Sequence, residues 1–301
     1  MDKKVSVVIV TKNRQNDLTH CLGSLLSQSI VLDQLILIDN NSTDKTKEIF
    51  SNFAKNSQIP CKYVLEKRKG YPTVYNRGLK EAKNTWVAFI DDDCVADVDW
   101  YMNIKKRVNK ERDVNLAAIL GFSDTYYQTD IFSLATNFFD LIWKKSGSIG
   151  GKVRDFEILD NKNIVYNKNF LIKNKLSFDE SRVRFFNGAS EDCDLGRQIF
   201  ETKKAVAIYD RSIKIWHKDP VNFSWFVKKY LSSISAYSYY LSKWGNESHN
   251  LVKNKINFKK ELILFIKHHR IKSFKKIALY ILIYFHVVLD YFFLLFYKSK
   301  H

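Results

Sequence analysis

The sequence predicts an α/β protein with a doubly wound, mostly parallel sheet, followed by a helical and basic C-terminal extension. Two observations predict the sheet. Short β-branched apolar runs alternate with segments of helical periodicity over the first part of the chain, and polar or acidic residues follow the apolar runs. This alternation is typical of parallel sheets with right-handed crossovers. A third observation predicts the extension: from Lys218 onward the chain has fifteen Lys and Arg but only four Asp and Glu.

The first two units of the pattern each contain a strand, a loop and a helix. Val5 to Val10 is a β-branched run, and Asp17 to Gln28 has apolar residues at helical spacing. A second strand is predicted from Gln34 to Ile38. The turn residues 40–44 then precede a helix whose apolar positions continue to Phe53.

A third unit leads to an acidic triplet. Cys61 to Leu65 predicts a strand, Pro72 suits the first turn of a helix that ends near Lys83, and Trp86 to Ile90 predicts the next strand. Asp91-Asp92-Asp93 follows directly. In such sheets ligands bind at the carboxyl ends of the strands, so the triplet is expected to share one crevice with the other polar strand ends. Those are Thr11, Asp39 and Glu66.

The triplet itself is either a solvated turn or a cation site, because adjacent carboxylates repel one another. Mg²⁺ and Mn²⁺ prefer oxygen ligands, and Mg²⁺ commonly uses one or two carboxylates together with substrate phosphates. Asp91 and Asp93 point the same way on an extended backbone. These two residues are therefore predicted to bind the ion, with Asp92 facing elsewhere.

Other site classes are not indicated. Neither G-x-G-x-x-G after the first strand nor G-x-x-x-x-G-K-[ST] is present, which argues against a dinucleotide fingerprint and a P-loop. The four cysteines are far apart and form no C-x-x-C pair, so they indicate neither zinc nor a disulfide framework. The N-terminus has too short an apolar run for a signal peptide and is interpreted as the first strand.

The motifs after the strands occur in a specific order. Residues 5–14 form an opening strand and loop, residues 37–44 a second strand and turn, Gly70 and Asn76-Arg77-Gly78 a glycine loop and helix, and residues 91–93 the triplet. Each motif alone is weak. Their order and spacing together resemble the family 2 glycosyltransferases, the large inverting group with the GT-A fold.

The resemblance implies roles for individual residues. Asp91-Asp92-Asp93 stands where the family has its metal-binding D-x-D, and His217 stands where related enzymes often have a metal-contacting histidine. Glu191 and Asp192 resemble the segment with the catalytic base, which is predicted to be Asp192. Asp39 is predicted to hydrogen-bond the nucleotide base, which favours uridine or thymidine donors. The other predicted contacts with the nucleotide sugar are Thr11, Asn13, Arg14, Asn41, Asn76, Arg77, Asp91 and Asp92.

Several of these residues also have an ordinary structural interpretation. Asp39 can cap the turn before Ser42, and Glu191 and Asp192 can be the acidic first turn that a helix dipole favours. A lone histidine such as His217 is often structural. Tyr75 departs from the family pattern because an arginine is common at that place, so the basic residue that contacts the donor there is left open.

The resemblance covers roughly residues 4 to 217. It implies a GT-A catalytic domain over residues 1–217 and a separate extension over residues 218–301. The predicted activity is metal-dependent transfer, with inversion, of a sugar from a nucleotide diphosphate to a hydroxyl of a glycan or lipid-linked acceptor, in the synthesis of a cell-surface polysaccharide or glycoconjugate. The cofactor is Mg²⁺ or Mn²⁺.

Two other functions compete with this prediction. A pyrophosphorylase-like nucleotidyltransferase also has an α/β sheet with a carboxylate-bound metal, but the sequence lacks its glycine-rich, arginine-bearing loop after the first strand. A non-catalytic module that binds membranes or nucleic acid explains the basic extension and leaves Asp91–Asp93 and Glu191-Asp192 without a role. We therefore expect no nucleic-acid partner.

The extension is expected to contact a membrane. Residues 257–276 mix apolar and basic residues as a surface-lying helix does. Residues 277–297 are nearly all apolar and long enough to span a bilayer, but His286 and Asp290 interrupt them. A spanning helix, an interfacial or oligomer-forming helix and a buried helix all fit. We expect a cytoplasmic protein that is peripheral, or anchored C-terminally, at the inner face of the cell membrane; the sequence indicates no oligomeric state.

Overall fold

The computed structural model describes residues 2–181, 190–245 and 256–298. Within these residues, ten strands form one sheet around which the helices pack. The strands are β1 Val5–Thr11, β2 Leu35–Asp39, β3 Cys61–Leu65, β4 Trp86–Ile90, β5 Cys94–Ala96, β6 Leu116–Thr125, β7 Ser148–Ile149, β8 Lys152–Val153, β9 Asn163–Asn167 and β10 Val206–His217. The helices are α1 Gln15–Leu26, α2 Thr46–Asn56, α3 Tyr71–Glu81, α4 Trp100–Lys110, α5 Ile131–Ser146, α6 Lys168–Lys173, α7 Glu191–Glu201, α8 Phe223–Trp244, α9 Phe258–His268 and α10 Ser273–Lys298.

The half of the sheet built from β1 to β4 is parallel, as predicted. The strand order is β3-β2-β1-β4-β9-β6-β10-β8-β7, and β5 pairs with β10. All pairings among β1, β2, β3 and β4 are parallel. The predicted limits of these four strands agree with the structure to within about one residue.

The other half of the sheet is mixed, which the alternation of strands and helices did not indicate. β9 lies antiparallel between β4 and β6, whereas β6 and β10 are parallel. The pairing of Ile90 with Asn163 brings the residues just before β9 beside the acidic triplet that follows β4. The antiparallel insertion therefore adds side chains to the crevice from a distant part of the chain.

The sheet separates two apolar cores. One contains the buried faces of α1, α2 and α4, and the other contains those of α3, α6 and α7. Side chains of β1 alternate between them, with Val7 and Ile9 in the first and Val8 and Val10 in the second. The glycine of the Asn-x-Gly motif, Gly78, has a steric reason for its place. A Cβ at this position would lie 2.7 Å from Val8 Cγ1 and force α3 away from the sheet.

A third apolar cluster joins α5 to the C-terminal helices α8, α9 and α10. α9 buries Leu262, Phe265 and Ile266 in this cluster, while α10 buries residues that include Leu279 and Ile283. These three apolar residues of α9 therefore pack against protein, whereas Ile263 and Leu264 of the same helix are exposed. Within the three described ranges, no helix combines the length and the apolar character needed to cross a membrane.

Candidate active site

The polar ends of the parallel strands meet at one edge of the sheet, as the sequence predicts. Thr11 at the end of β1 lies in register with Asp39 at the end of β2. The Thr11 hydroxyl donates to Asp92 Oδ2 at 2.7 Å, which joins the end of β1 to the acidic triplet. The loops after β1 and β2 are also joined, since the Thr43 amide donates to Asn13 Oδ1 at 2.7 Å. These contacts join the polar strand ends at the edge of the sheet where the sequence predicts the crevice.

The three carboxylates of the triplet have different partners. The Tyr75 hydroxyl donates to Asp91 Oδ1 at 3.2 Å. Arg14 Nη1 donates to Asp92 Oδ1 at 3.1 Å and to Asp93 Oδ2 at 2.5 Å. Asp92 is 4% exposed and uses both oxygens on β1 and its loop. Asp92 and Asp93 thus share Arg14, whereas Asp91 contacts Tyr75, so these contacts do not pair Asp91 with Asp93 as the sequence predicts.

The triplet does not bear three full negative charges near neutral pH. Burial and the neighbouring carboxylate charges raise the pKa of Asp91 to about 7. Burial also raises the pKa of Asp92 to about 7, against the opposing effect of Arg14. For Asp93, burial disfavours the charged form, but His217 and Arg14 outweigh it and hold the pKa below its usual range. Asp93 is thus the carboxylate best prepared to bind a cation.

His217 reaches Asp93 because of the pairing between β5 and β10. The antiparallel register places His217 opposite Cys94, the residue after Asp93. His217 Nε2 lies 3.5 Å from Asp93 Oδ1, and its Nδ1 lies 2.9 Å from Asp219 Oδ1. Burial lowers the pKa of His217, but the charges of Asp219 and Asp93 together raise it by more, so the net shift is upward. Asp219 was not predicted as a site residue. The sequence pattern that could have indicated it is an acid two residues after the histidine.

These residues fit a divalent cation. Asp93, Cys94 and His217 bring potential ligand atoms within 4.8 Å of one another. Burial and the charge of Asp93 raise the pKa of the Cys94 thiol well above its usual value, so this sulfur stays protonated. A metal-binding histidine commonly has its second ring nitrogen paired with a carboxylate, as His217 has with Asp219. Asp93 and His217 are therefore the best-placed ligands for Mg²⁺ or Mn²⁺ among the described residues.

The predicted base, Asp192, lies in the first turn of α7. Ser190 precedes the helix with φ +44°, and Glu191 and Asp192 follow it. Asp192 Oδ1 accepts a hydrogen bond from the Cys193 amide at 2.8 Å. Burial, aided by the charge of Asp160, raises the pKa of Asp192 to about 6. This value leaves Asp192 ionised at neutral pH and makes it a stronger base than an exposed aspartate.

A buried group of four charges lies beside these residues. Lys144 Nζ from α5 is 2.9 Å from Asp140 Oδ2 and 3.0 Å from Asp160 Oδ2, and Lys162 pairs with the same two aspartates. The charge of Asp160 raises the pKa of both Asp91 and Asp192. The charge of Asp160 therefore acts on both the triplet and the predicted base. No local pattern indicates it, because it reaches the crevice only through the antiparallel pairing of β9.

Asp39 ends β2, and Asn41 lies in the loop that follows it. Asp39 Oδ1 accepts from the Ser42 amide at 2.8 Å, and Asp39 Oδ2 accepts from the Tyr63 hydroxyl at 2.6 Å. The turn-capping interpretation of Asp39 is thus realised. Asn13 and Asn41 both have positive φ, at 53° and 59°, and their backbones shape the loops at this edge of the sheet.

The structure gives Asn76 and Arg77 partners away from the triplet. Asn76 Nδ2 donates to the Phe178 carbonyl at 2.8 Å, and the Phe178 amide donates back to Asn76 Oδ1 at 3.0 Å. Arg77 Nε lies 2.9 Å from Glu81 Oε1, one turn along α3. Asn76 joins α3 to the chain before α7, which is a structural reason for its place in the motif.

The chain is similar to a Campylobacter jejuni GalNAc(5)-diNAcBac-PP-undecaprenol beta-1,3-glucosyltransferase, with 35% identity over 92 residues that cover 30% of this chain and 29% of the relative. The chain spans half or less of the length of the first curated relatives that it matches.

Two solved structures resemble the fold. One is the mannosyltransferase PcManGT from Pyrobaculum calidifontis in complex with GDP-Man and Mn²⁺, with a TM-score of 0.60 and 15% identity over 80% of this chain and 65% of that one. The other is S. aureus TarS 1-349 with UDP-GlcNAc, with a TM-score of 0.56 and 15% identity over 88% of this chain and 71% of that one. The mixed α/β architecture with its central sheet is consistent with a GT-A fold.

The Glycosyl transferase family 2 model matches residues 6–177, which run from the second residue of β1 through β4, the acidic triplet and β9. Since this match covers more than half of the 301 residues, the chain belongs to glycosyltransferase family 2.

Proposed function

We propose that this protein transfers a sugar from a nucleotide diphosphate to a hydroxyl of a glycan or lipid-linked acceptor, with inversion at the anomeric carbon. The observation that supports the proposal most directly is the pair of Asp93 and His217 at the carboxyl edge of the sheet, where His217 Nε2 lies 3.5 Å from Asp93 Oδ1. The charge of Asp160 acts on both Asp91, which begins the triplet, and Asp192. A displacement reaction requires a cation site and a base that act on the same bound substrate, and Asp192 is the base that we propose.

Inversion requires a single displacement, in which one base is sufficient. Asp192 takes the proton of the acceptor hydroxyl as the acceptor oxygen forms its bond to the anomeric carbon. The bond between that carbon and the phosphate oxygen breaks on the opposite face, and its electron pair leaves with the nucleoside diphosphate. Asp93 and His217 would hold the divalent cation, which when bound offsets the charge of the diphosphate.

The proposed donors are UDP- or dTDP-sugars, with Asp39 as the contact for the base. Asp39 is 1% exposed, and Tyr63 and the Ser42 amide hold its carboxylate in place. A carboxylate fixed in this way can accept a hydrogen bond from the N–H of uracil or thymine. The resemblance to one structure with GDP-Man and to another with UDP-GlcNAc shows the fold alone, so the base preference rests on Asp39.

The activity is tested by incubating the full chain with UDP- and dTDP-sugars, a polyprenyl-diphosphate-linked acceptor and MnCl₂. We expect nucleoside diphosphate release that EDTA abolishes and Mn²⁺ restores. Proton NMR of the product is expected to show the anomeric configuration opposite to that of the donor. Retained configuration contradicts inversion. Release of pyrophosphate from a nucleoside triphosphate and a sugar phosphate would instead support the nucleotidyltransferase.

We further propose that the C-terminal helices bind an anionic membrane surface at the inner face of the cell membrane, where a lipid-linked acceptor is available. Four residues of α10 at helical spacing face outward: Phe274, Ile277, Ile281 and Tyr284, which are 84%, 62%, 62% and 71% exposed. Lys272 and Lys275 lie beside the N-terminal end of this stripe and are exposed. An apolar stripe flanked by lysines is the pattern of a helix that lies in a membrane interface.

The membrane proposal predicts that Ile277→Glu combined with Ile281→Glu weakens binding to anionic vesicles at least tenfold, because two isoleucines that insert into the interface each gain roughly 1.5–3 kcal/mol. Both side chains are exposed, so folding is expected to be retained. Co-sedimentation with phosphatidylglycerol vesicles measures the effect. Val31→Glu with Val114→Glu is the matched control, since both of these valines are exposed away from α10. Equal sedimentation of the two double variants contradicts the proposal.

A further inference from the structure

Arg14 covers the carboxylates at which a metal ion would bind. It stands at the N-cap of α1 but makes no side-chain capping hydrogen bond there. Instead its Nη1 lies 3.1 Å from Asp92 Oδ1 and 2.5 Å from Asp93 Oδ2. The Arg14 side chain is 42% exposed, whereas those of Asp92 and Asp93 are 5% and 13% exposed. The guanidinium thus lies at the solvent side of two buried acids.

The position of Arg14 opposes a divalent cation bound without its substrate. Both oxygens of Asp93 face a cationic or potentially cationic group, Oδ2 with Arg14 and Oδ1 with His217. An ion that binds Asp93 and His217 must take the place of the guanidinium at Asp93 or lie next to it. Two cations at such a distance repel strongly in a partly buried site. Arg14 and a bare metal ion therefore compete for the same carboxylate.

A nucleoside diphosphate removes this conflict. The diphosphate brings negative oxygens to the metal. A guanidinium can bind two phosphate oxygens with two N–H groups, as it also binds the two oxygens of a carboxylate. Arg14 is exposed on its outer side and has no other ion-pair partner among the described residues. Its release from Asp93 therefore leaves it free to contact the incoming diphosphate.

We propose that Arg14 is an internal counter-cation that pairs with Asp92 and Asp93 in the free protein and moves from Asp93 to the donor diphosphate when metal and nucleotide bind together. The proposal rests on the proposed function, since it assumes a nucleotide-diphosphate donor. It makes Arg14 the source of a coupling between the two ligands: metal alone is disfavoured, and metal with nucleotide is favoured. Such a coupling is reciprocal, so each ligand strengthens the binding of the other.

Isothermal titration of Arg14→Gln with MnCl₂ alone, and then with UDP at saturating MnCl₂, tests the proposal. Mn²⁺ alone is expected to bind about two- to fivefold more tightly than to the unchanged chain, the range for a partly exposed ion pair. UDP is expected to bind at least tenfold more weakly, because a charge-assisted contact is lost. Arg14→Lys keeps the charge without the planar fork and is expected to fall between the two proteins in both titrations.

The opposite signs separate this role from two simpler ones. An Arg14 that merely supports the loop would weaken both ligands on substitution, and an Arg14 that only contacts the donor would leave Mn²⁺ binding unchanged; either result overturns the proposal, as does unchanged UDP binding. Arg107→Gln, which removes a similar pair at 3.2 Å with Glu111 at the C-cap of α4, is the matched control and is expected to change neither titration. If the unchanged chain binds no nucleotide in any condition, the proposed function itself fails.

Discussion

Asp192→Asn is expected to lower the turnover number by about 10²–10⁴-fold, the usual contribution of a positioned general base. Asparagine has nearly the same shape and still accepts the hydrogen bond from the Cys193 amide, so the fold of α7 and the affinity for the donor are expected to remain. Steady-state kinetics with a fixed acceptor measure the turnover number, and UDP titration checks donor binding. A loss confined to KM would place Asp192 in substrate binding instead.

Asp210→Asn is the matched control for this variant. Asp210 Oδ1 accepts a hydrogen bond from the Ser212 amide at 3.0 Å within β10, so the same change of charge is made away from the triplet and α7. We expect its turnover number to stay within about twofold of the unchanged chain, as is usual for substitutions away from a functional site.

The role of Asp192 also sets the pH dependence of the reaction. A base acts only when it is ionised, and burial together with the charge of Asp160 raises the pKa of Asp192 to about 6. Below that pH the protonated fraction grows, so kcat/KM is expected to fall about tenfold for each pH unit. In Asp192→Asn this acidic limb is expected to disappear from the residual rate. An unshifted limb in the variant would assign it to another group.

Asp93→Asn is expected to reduce metal-dependent transfer by about 10²-fold or more, because it removes the carboxylate that remains ionised beside His217. Thermal shift with MnCl₂ and UDP gives a readout that does not depend on turnover: the stabilisation by the two ligands together is expected to be lost. Aspartate and asparagine have similar size, so the unliganded protein is expected to fold.

Asp91→Asn is the variant to compare with Asp93→Asn, because the structure gives the two carboxylates different partners. The sequence pairs Asp91 with Asp93 as metal ligands, whereas the Asp91 carboxylate accepts from Tyr75 and has a pKa raised to about 7. We therefore expect Asp91→Asn to retain more Mn²⁺-dependent stabilisation than Asp93→Asn. An equal loss in both variants would favour the original pair of ligands.

Local patterns were sufficient for the half of the fold that contains β1 to β4. Strands β1 to β4 and their crossover helices follow from apolar periodicity and turn residues, which act over a few residues of chain. The position of the triplet at a strand end follows from the same reasoning. The antiparallel strand β9 was not predicted. The direction of a strand depends on the neighbours with which it pairs and not on its own composition.

For the C-terminal helices too, the sequence predicts the elements and the tertiary structure decides what they contact. Their existence follows from periodicity, but the amphipathic sequence of α9 does not indicate whether its apolar side meets lipid or protein. The structure buries Leu262 and Phe265 against α5 and leaves Ile277 and Ile281 of α10 exposed. The surface that we propose for membrane binding therefore lies on α10 and overlaps only the C-terminal end of the basic stretch, residues 257–276, that first indicated one.

From the sequence alone, the family, the parallel half of the sheet and the identity of the acidic and basic candidates are determined, because motif order and local periodicity specify them. The tertiary structure decides what each candidate contacts. Arg14 meets Asp92 and Asp93 across 78 and 79 residues of chain, and His217 meets Asp93 through the pairing of β5 with β10. Contacts at such separations depend on how the whole chain packs, so the different roles of three consecutive aspartates emerge only in the folded protein.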